Sequence, residues 1–403
     1  MNRLLTRPDF QRLAKSQIVQ LLDALCQAIE PTETQYKDAT ERYEAIGDFL
    51  AEEASPLYCY GPTVYPQGSM RIRTAIRPAH GKEYDVDLVC EFKRMPNSDP
   101  KVVKQLVWDR FRNSDRYRDM VVEKNRCVQI KYAGDFHMDV MPCIPGQPGW
   151  AKQGAVWVPD KKMDDWKPSN PVGFATFVEK AAAKQPVQPR TVLANVIEAR
   201  AASVEPLPPE QRFSKPALIR VIQLLKRHRD QFFRSNKDMA PISVIVTTLA
   251  AHSYNRAITQ SAFDSAYDLV LDVLEGMPDF ITVDRQTAKF LIANPSHPDE
   301  NFAERWNNDP QLANWFFNWH RKVATEVKAL SEQEPEGLDE VGKALENSFG
   351  SYAANRAVRS LSGSVKDFTS IGKTGITSTG LVVPATIGIK EVSKAPPHNF
   401  HGS

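Results

Sequence analysis

Long apolar runs, paired cysteines and a dominant charge are all missing from this chain of 403 residues. Its five cysteines (Cys26, Cys59, Cys90, Cys127 and Cys143) are odd in number, scattered and without a Cys-x-x-Cys step. They argue against a disulfide framework or a zinc site and suit a reducing compartment. The eight histidines show no metal-ligand spacing either. No stretch of eighteen apolar residues is present, so no membrane span is expected. Residues Met1 to Asp9 break off without the sustained apolar core of a signal peptide, which makes the cytoplasm the expected location. Lys and Arg total 51 against 49 Asp and Glu, a net charge of +2. No global basic field argues for strong nucleic-acid binding, and any basic surface must be local, as at Arg71, Arg73 and Arg77 or at Lys226, Arg227 and Arg229.

Against this background one region carries chemistry. From Tyr84 to Phe92, Val86, Leu88, Cys90 and Phe92 alternate with Asp85, Asp87, Val89 and Glu91. A period of two predicts a strand with one apolar face and both aspartates on the other. Two acids at i and i+2 can share a pair of divalent cations, which in-line phosphoryl displacement requires to lie roughly 3.5–4 Å apart. Upstream, Gln67-Gly68-Ser69 offers a turn without a side chain, where backbone N–H groups can approach a phosphate and a hydroxyl adds a donor. A later strand, Phe136 to Met141, follows the hairpin signal Ala133-Gly134-Asp135 and places Asp139 away from the Phe136 face. His137 shares that face as a hydrogen-bonded neighbour. Alone, Asp-hydrophobic-Asp also describes a solvated acidic strand edge; the turn and the third acid favour a metal site.

Elsewhere the patterns are helical. Residues Phe10 to Ile29 and Gln35 to Ala54 read as two entry helices separated by Pro31, and Ser98-Asp99-Pro100 as the capped start of another. Strands are expected over Thr63 to Ile76 and Cys127 to Tyr132, and Pro142 to Pro171 reads as a connector. Helices are then expected from Phe174, over Val192 to Ala202, after a Ser214 cap, from Ile242 to Tyr254, from Ala262 to Gly276, and from Trp306 to Leu330. Beyond about Leu345 periodicity fades into a Ser, Gly and Thr-rich stretch.

Gly68-Ser69 with Arg71, Thr74 and Pro78, then Tyr84-Asp85-Val86-Asp87-Leu88-Val89 and Asp139, resemble the CD-NTases of bacterial anti-phage CBASS systems. These are relatives of cyclic GMP–AMP synthase and oligoadenylate synthase. Leu224 to Asp230, Asn170 to Phe174, Asn294-Pro295, Glu300 to Trp306 and His398 to Gly402 extend the resemblance over nearly the whole chain. It implies an α/β fold: a polymerase-β-like nucleotidyltransferase lobe with a mixed sheet (residues 1–165), packed on a mainly helical second lobe (166–345), with a C-terminal segment (346–403). It further implies an enzyme that makes a cyclic di- or trinucleotide messenger, adenine-containing, from ATP and a second nucleoside triphosphate, acting on a downstream effector.

In the resembled family Asp85, Asp87 and Asp139 hold two Mg²⁺, with Mn²⁺ as a substitute, and Asp139 takes the proton of the attacking ribose hydroxyl. Gly68, Ser69, Lys226 and Ser243 hold the triphosphate. By spacing alone Lys226 reads as a solvated helix face and Ser243 as an ordinary first-turn serine. Tyr65, Trp150, Trp157, Trp166, Tyr254 and Trp306 are aromatic surfaces that could stack on a base or fill a core. The tail ending in Gly402, followed here by Ser403, resembles members whose terminal glycine is joined to targets by an E1/E2-like conjugation enzyme. Two other functions fit the residues: a linear template-independent transferase, and a non-catalytic interaction platform. The near-neutral charge gives a primer groove little support, and three mutually repelling acids are costly for a platform to keep.

Overall fold

The computed structural model describes residues 7–77, 84–96, 98–132, 136–146, 154–162, 164–185, 215–332, 338–370, 374–376, 382–384 and 393–394. Helices α1 (Arg7–Ile29) and α2 (Glu33–Ala51) are the expected entry pair. Thr32 opens α2 through a reciprocal capping box: its hydroxyl accepts from the Gln35 amide, and Gln35 Oε1 accepts from Thr32 N. The two helices serve different cores. Ile18, Leu21, Leu22 and Leu25 of α1 pack among the later helices, whereas Ala39, Tyr43, Ile46 and Leu50 of α2 lie on the sheet. The sequence-based border that puts both in the first lobe therefore differs from the packing.

The sheet is built from β1 (Pro62–Pro66), β2 (Tyr84–Phe92), β3 (Val121–Glu123), β4 (Val128–Lys131) and β5 (Phe136–Pro145) in the order β1-β2-β5-β4-β3. β6 (Val156–Asp160) joins β5, and β7 (Asp165–Ser169) joins β6. Strands β2 and β5 run parallel; every other pair in this sheet is antiparallel. Between β1 and β2 the chain forms a one-turn helix, α3 (Gly68–Arg71), where a continuous strand to Ile76 was expected. The reason is Gly68, whose φ of 62° turns the backbone out of the sheet. Helix α4 (Pro100–Arg112) starts as predicted, with the Asp99 side chain accepting from Lys101 N and Pro100 at the first position. The expected connector from Pro142 is instead the end of β5 and the β6–β7 hairpin. Its prolines are tolerated because Pro159 lies beyond the β5 pairing and Pro168 sits on the edge strand.

The second lobe holds α5 (Pro171–Ala183), α6 (Ala217–Phe232), α7 (Ser243–Gln260), α8 (Ala266–Gly276), α9 (Glu304–Asn308), α10 (Gln311–Glu332), α11 (Leu338–Phe349) and α12 (Ser351–Ser370). Asn170 caps α5 by accepting from Gly173 N, with Pro171 following. The helix expected at Val192–Ala202, the Ser214 cap and Gly402 lie outside the described residues. Order persists past Leu345, contrary to the expected loss of periodicity: Leu345 is buried within α11, and Ala353, Ala354 and Ala357 of α12 are buried. Helix α12 packs on α1 and α11. Alanines permit close helix approach without producing a conspicuous apolar stripe in sequence. Among the described residues no helix is long and apolar enough to cross a membrane.

Helix α6 belongs to the helical core and is buried from Leu218 to His228. Glu30, at the end of α1, is fully buried and meets Lys215 Nζ at 2.8 Å and Arg220 Nη1 at 2.7 Å. Gln223 Nε2 donates to the same carboxylate at 3.1 Å. This buried charge cluster ties the end of the first helix to the sixth.

Candidate active site

The parallel pairing of β2 and β5 brings the acids together. Asp87 stands directly opposite Asp139, and Asp85 directly opposite His137, whose Nε2 lies 2.9 Å from Asp85 Oδ1. Val86, Leu88, Met138 and Val140 occupy the buried side, so the alternation read from sequence holds on both strands. The Asp87 carboxyl is pushed up to about 7, first by burial and then by the charges of Asp85 and Asp139; Lys226 and His137 offset part of the rise. Burial also raises Asp139, while a hydrogen bond from Gln129 acts against the rise. Asp85 is the outermost of the three, with 61% of its side chain exposed. The three share one face and feel one another electrostatically. Yet no three His, Cys, Asp or Glu side chains among the described residues already stand close enough together to grip an ion.

Above Asp87 lies the glycine turn. Gln67 N donates to Asp87 O at 3.0 Å, which fixes the turn to the strand. A Cβ at Gly68 would stand 2.1 Å from Asp87 Oδ2, so a side chain there is excluded by contact as well as by φ. Ser69 follows at the start of α3, and its carbonyl accepts from Thr74 N. Arg71, in the same short helix, forms an ion pair with Glu179 of α5 and so links the turn to the second lobe.

Residues 73–77, which leave this turn, are gripped through their carbonyls by α6 and by Lys215 just before it. Lys215 Nζ donates to Arg73 O, Lys226 Nζ to Thr74 O at 2.9 Å, Gln223 Nε2 to Ala75 O and Arg227 Nη2 to Arg77 O. Lys226 is therefore no solvated surface lysine: it is 5% exposed. Its ammonium is brought down to about 8 by burial and then by Arg229, with Asp230, Asp85 and Asp87 acting in the other direction. Ser243 is the first residue of α7, and its hydroxyl accepts from Arg229 Nη1 at 2.8 Å. Arg229 also donates to Pro241 O and Asp230. In sequence Arg229 was marked as part of a local basic surface and of the Leu224 to Asp230 segment; its bridge to α7 depends on helix packing.

The aromatic candidates divide. Tyr65, Tyr254 and Trp306 are buried, and the Tyr254 hydroxyl donates to Lys184 O. Trp157 and Trp166 pack partly buried beside the sheet core, and Trp150 lies outside the described residues.

The Second Messenger Oligonucleotide or Dinucleotide Synthetase domain matches residues 17–181. A c-di-GMP synthase of Roseivirga ehrenbergii is 28% identical over 391 residues, 96% of this chain and 98% of its own. The cyclic dinucleotide synthase CdnG of Bradyrhizobium diazoefficiens is 26% identical over 365 residues, 87% of this chain and 85% of its own. The solved structure of that CD-NTase with GTP superposes with a TM-score of 0.64 at 21% identity, covering 85% of this chain and 98% of the other. Over most of its length the chain is thus similar to CD-NTases. It is a nucleotidyltransferase enzyme of mixed α/β, two-lobed fold, and the domain match spans β2, β5 and the turn at Gly68.

Proposed function

We propose that the protein condenses two nucleoside triphosphates, GTP foremost, into a cyclic dinucleotide messenger that serves anti-phage defence, each ribose hydroxyl attacking an α-phosphate as pyrophosphate leaves. One observation carries the reading: Asp87 and Asp139 face each other in parallel register, with Asp85 alongside and the Gly68 turn pressed on Asp87. A relative named as a c-di-GMP synthase, and another solved with GTP, support guanine in place of the adenine expected from sequence.

The donor set suits a divalent cation. Hard carboxylate groups share one face of the sheet, and burial with mutual repulsion holds one of them protonated up to about 7, a cost that a cation would relieve. Asp85, Asp87 and Asp139 would hold Mg²⁺ or Mn²⁺. When bound, the metal supplies positive charge to the α-phosphate and the attacking hydroxyl. The chain's own groups do the rest. Backbone amides at Gly68 and Ser69 cradle the β- and γ-phosphates, and Asp139 accepts the proton of the ribose hydroxyl. Lys226, released from Thr74 O, lends its charge to the triphosphate, while Arg229 holds Ser243 at the head of α7.

One titration bounds the alkaline side: above about 8 Lys226 loses a proton, so kcat/KM should fall there. Lys226→Met should raise the nucleotide KM roughly 10–100-fold, the worth of a charge-assisted hydrogen bond, and remove the alkaline limb. Steady-state rates from pH 6 to 9 check both, and an unchanged alkaline limb would exclude Lys226 from the triphosphate.

Incubation with Mg²⁺ and labelled GTP, ATP or both, followed by phosphatase and mass spectrometry, tests the function. A resistant cyclic product is expected. A ladder would mean linear polymerisation, and no product under any mixture would mean a binding platform. The tail at Gly402 remains a proposed substrate for an E1/E2-like conjugation enzyme; intact mass after coexpression with that enzyme should show a terminal adduct.

A further inference from the structure

Across the sheet, one row of the register reads Asp87, Asp139, Gln129 and Val122 on β2, β5, β4 and β3. Asp139 thus has a repelling carboxylate on one flank and a carboxamide on the other. Gln129 Nε2 donates to Asp139 Oδ1 at 2.8 Å, and the glutamine is 5% exposed, between the fully buried Val128 and Ile130. A buried amide in so apolar a strand is costly unless it is hydrogen-bonded, and an aliphatic residue would satisfy the fold at lower cost. The amide commits one oxygen of Asp139 from the side opposite Asp87 and leaves Oδ2 uncommitted to it.

We infer that Gln129 is a positioning residue for the reaction, holding the Asp139 carboxylate in its working orientation from the neighbouring strand. A carboxylate pinned by a buried donor needs little reorganisation when substrate arrives, which is where preorganised electrostatics gains its effect.

The inference rests on the proposed role of Asp139, and the experiment separates the two. Gln129→Met keeps length and apolar bulk but cannot donate. With GTP as the labelled substrate it should lower kcat roughly 10–100-fold, leave KM within about twofold, and raise the Mg²⁺ needed for half-maximal rate about tenfold. In an Asp139→Asn background the same change should cost less than about twofold, because a group acting through Asp139 has nothing left to position.

Unchanged kcat in Gln129→Met, or an equal loss in the Asp139→Asn background, overturns the inference. Should Gln129→Met fail to fold, Gln129→Leu decides, since it also cannot donate to Asp139, and an unaltered kcat there counts as refutation. Full activity in Asp139→Asn alone would sink the reading of Asp139 itself.

Discussion

Asp87→Asn should abolish synthesis and make the protein more heat-stable at the same time. The first half follows from losing one acid of the proposed metal site, on the order of 10²–10³ or more in rate. The second follows from linkage. In the folded protein the Asp87 carboxyl titrates at about 7, raised from 3.8, because it is buried beside Asp85 and Asp139. The unfolded chain releases this proton first, so folding is penalised increasingly as pH rises from about 4, and fully above about 7. Asparagine cannot carry that charge. The melting temperature of Asp87→Asn should exceed that of the parent by about 2–6 °C near pH 8 and converge with it near pH 4. Added Mg²⁺ should close the gap by stabilising only the parent. Identical melting curves at every pH would show that Asp87 is not strained by its neighbours, and retained turnover would remove it from the site.

Gly68→Ala should be nearly as damaging to turnover by another route. Its backbone has φ 62°, and its Cβ would stand 2.1 Å from Asp87 Oδ2. The left-handed conformation costs alanine roughly 1–2 kcal/mol, and the contact forces either the turn or the carboxylate to move. A displacement of about 1 Å at a reacting group costs on the order of 10²-fold. Activity should therefore fall about 100-fold or more, while the melting temperature drops only a few degrees. Steady-state rates beside a thermal melt separate the outcomes. Activity within about threefold of the parent would mean that the turn does not approach the reacting phosphates.

The two acidic strands were legible because alternation is a local property. Val86 and Leu88 against Asp85 and Asp87, and Met138 and Val140 against Asp139, announce their faces without knowledge of any partner. The parallel register of β2 with β5 was not legible, since α4 and the β3–β4 hairpin intervene and neither strand specifies its neighbour. Lys226 shows the same limit. Its burial depends on Thr74 O, 152 residues away, and helix spacing alone puts it in solvent. Gln129 carried no signal, as a glutamine in a short strand is ordinarily a surface residue and acquires meaning only opposite Asp139. Helix α12 was missed because its contacts are made by Ala353, Ala354 and Ala357, whose small side chains leave little periodic trace.

Glu30 lends the molecule an unusual indivisibility. Its carboxylate belongs by sequence to the opening helices, but its counter-charges Lys215 and Arg220 come from the far lobe. Cutting the chain at the lobe border would strand an acid in a dry interior on one fragment and two cations on the other. Neither half could then be transplanted onto a foreign partner as an exchangeable module, and swapping lobes between relatives would require Glu30, Lys215 and Arg220 to travel as one set.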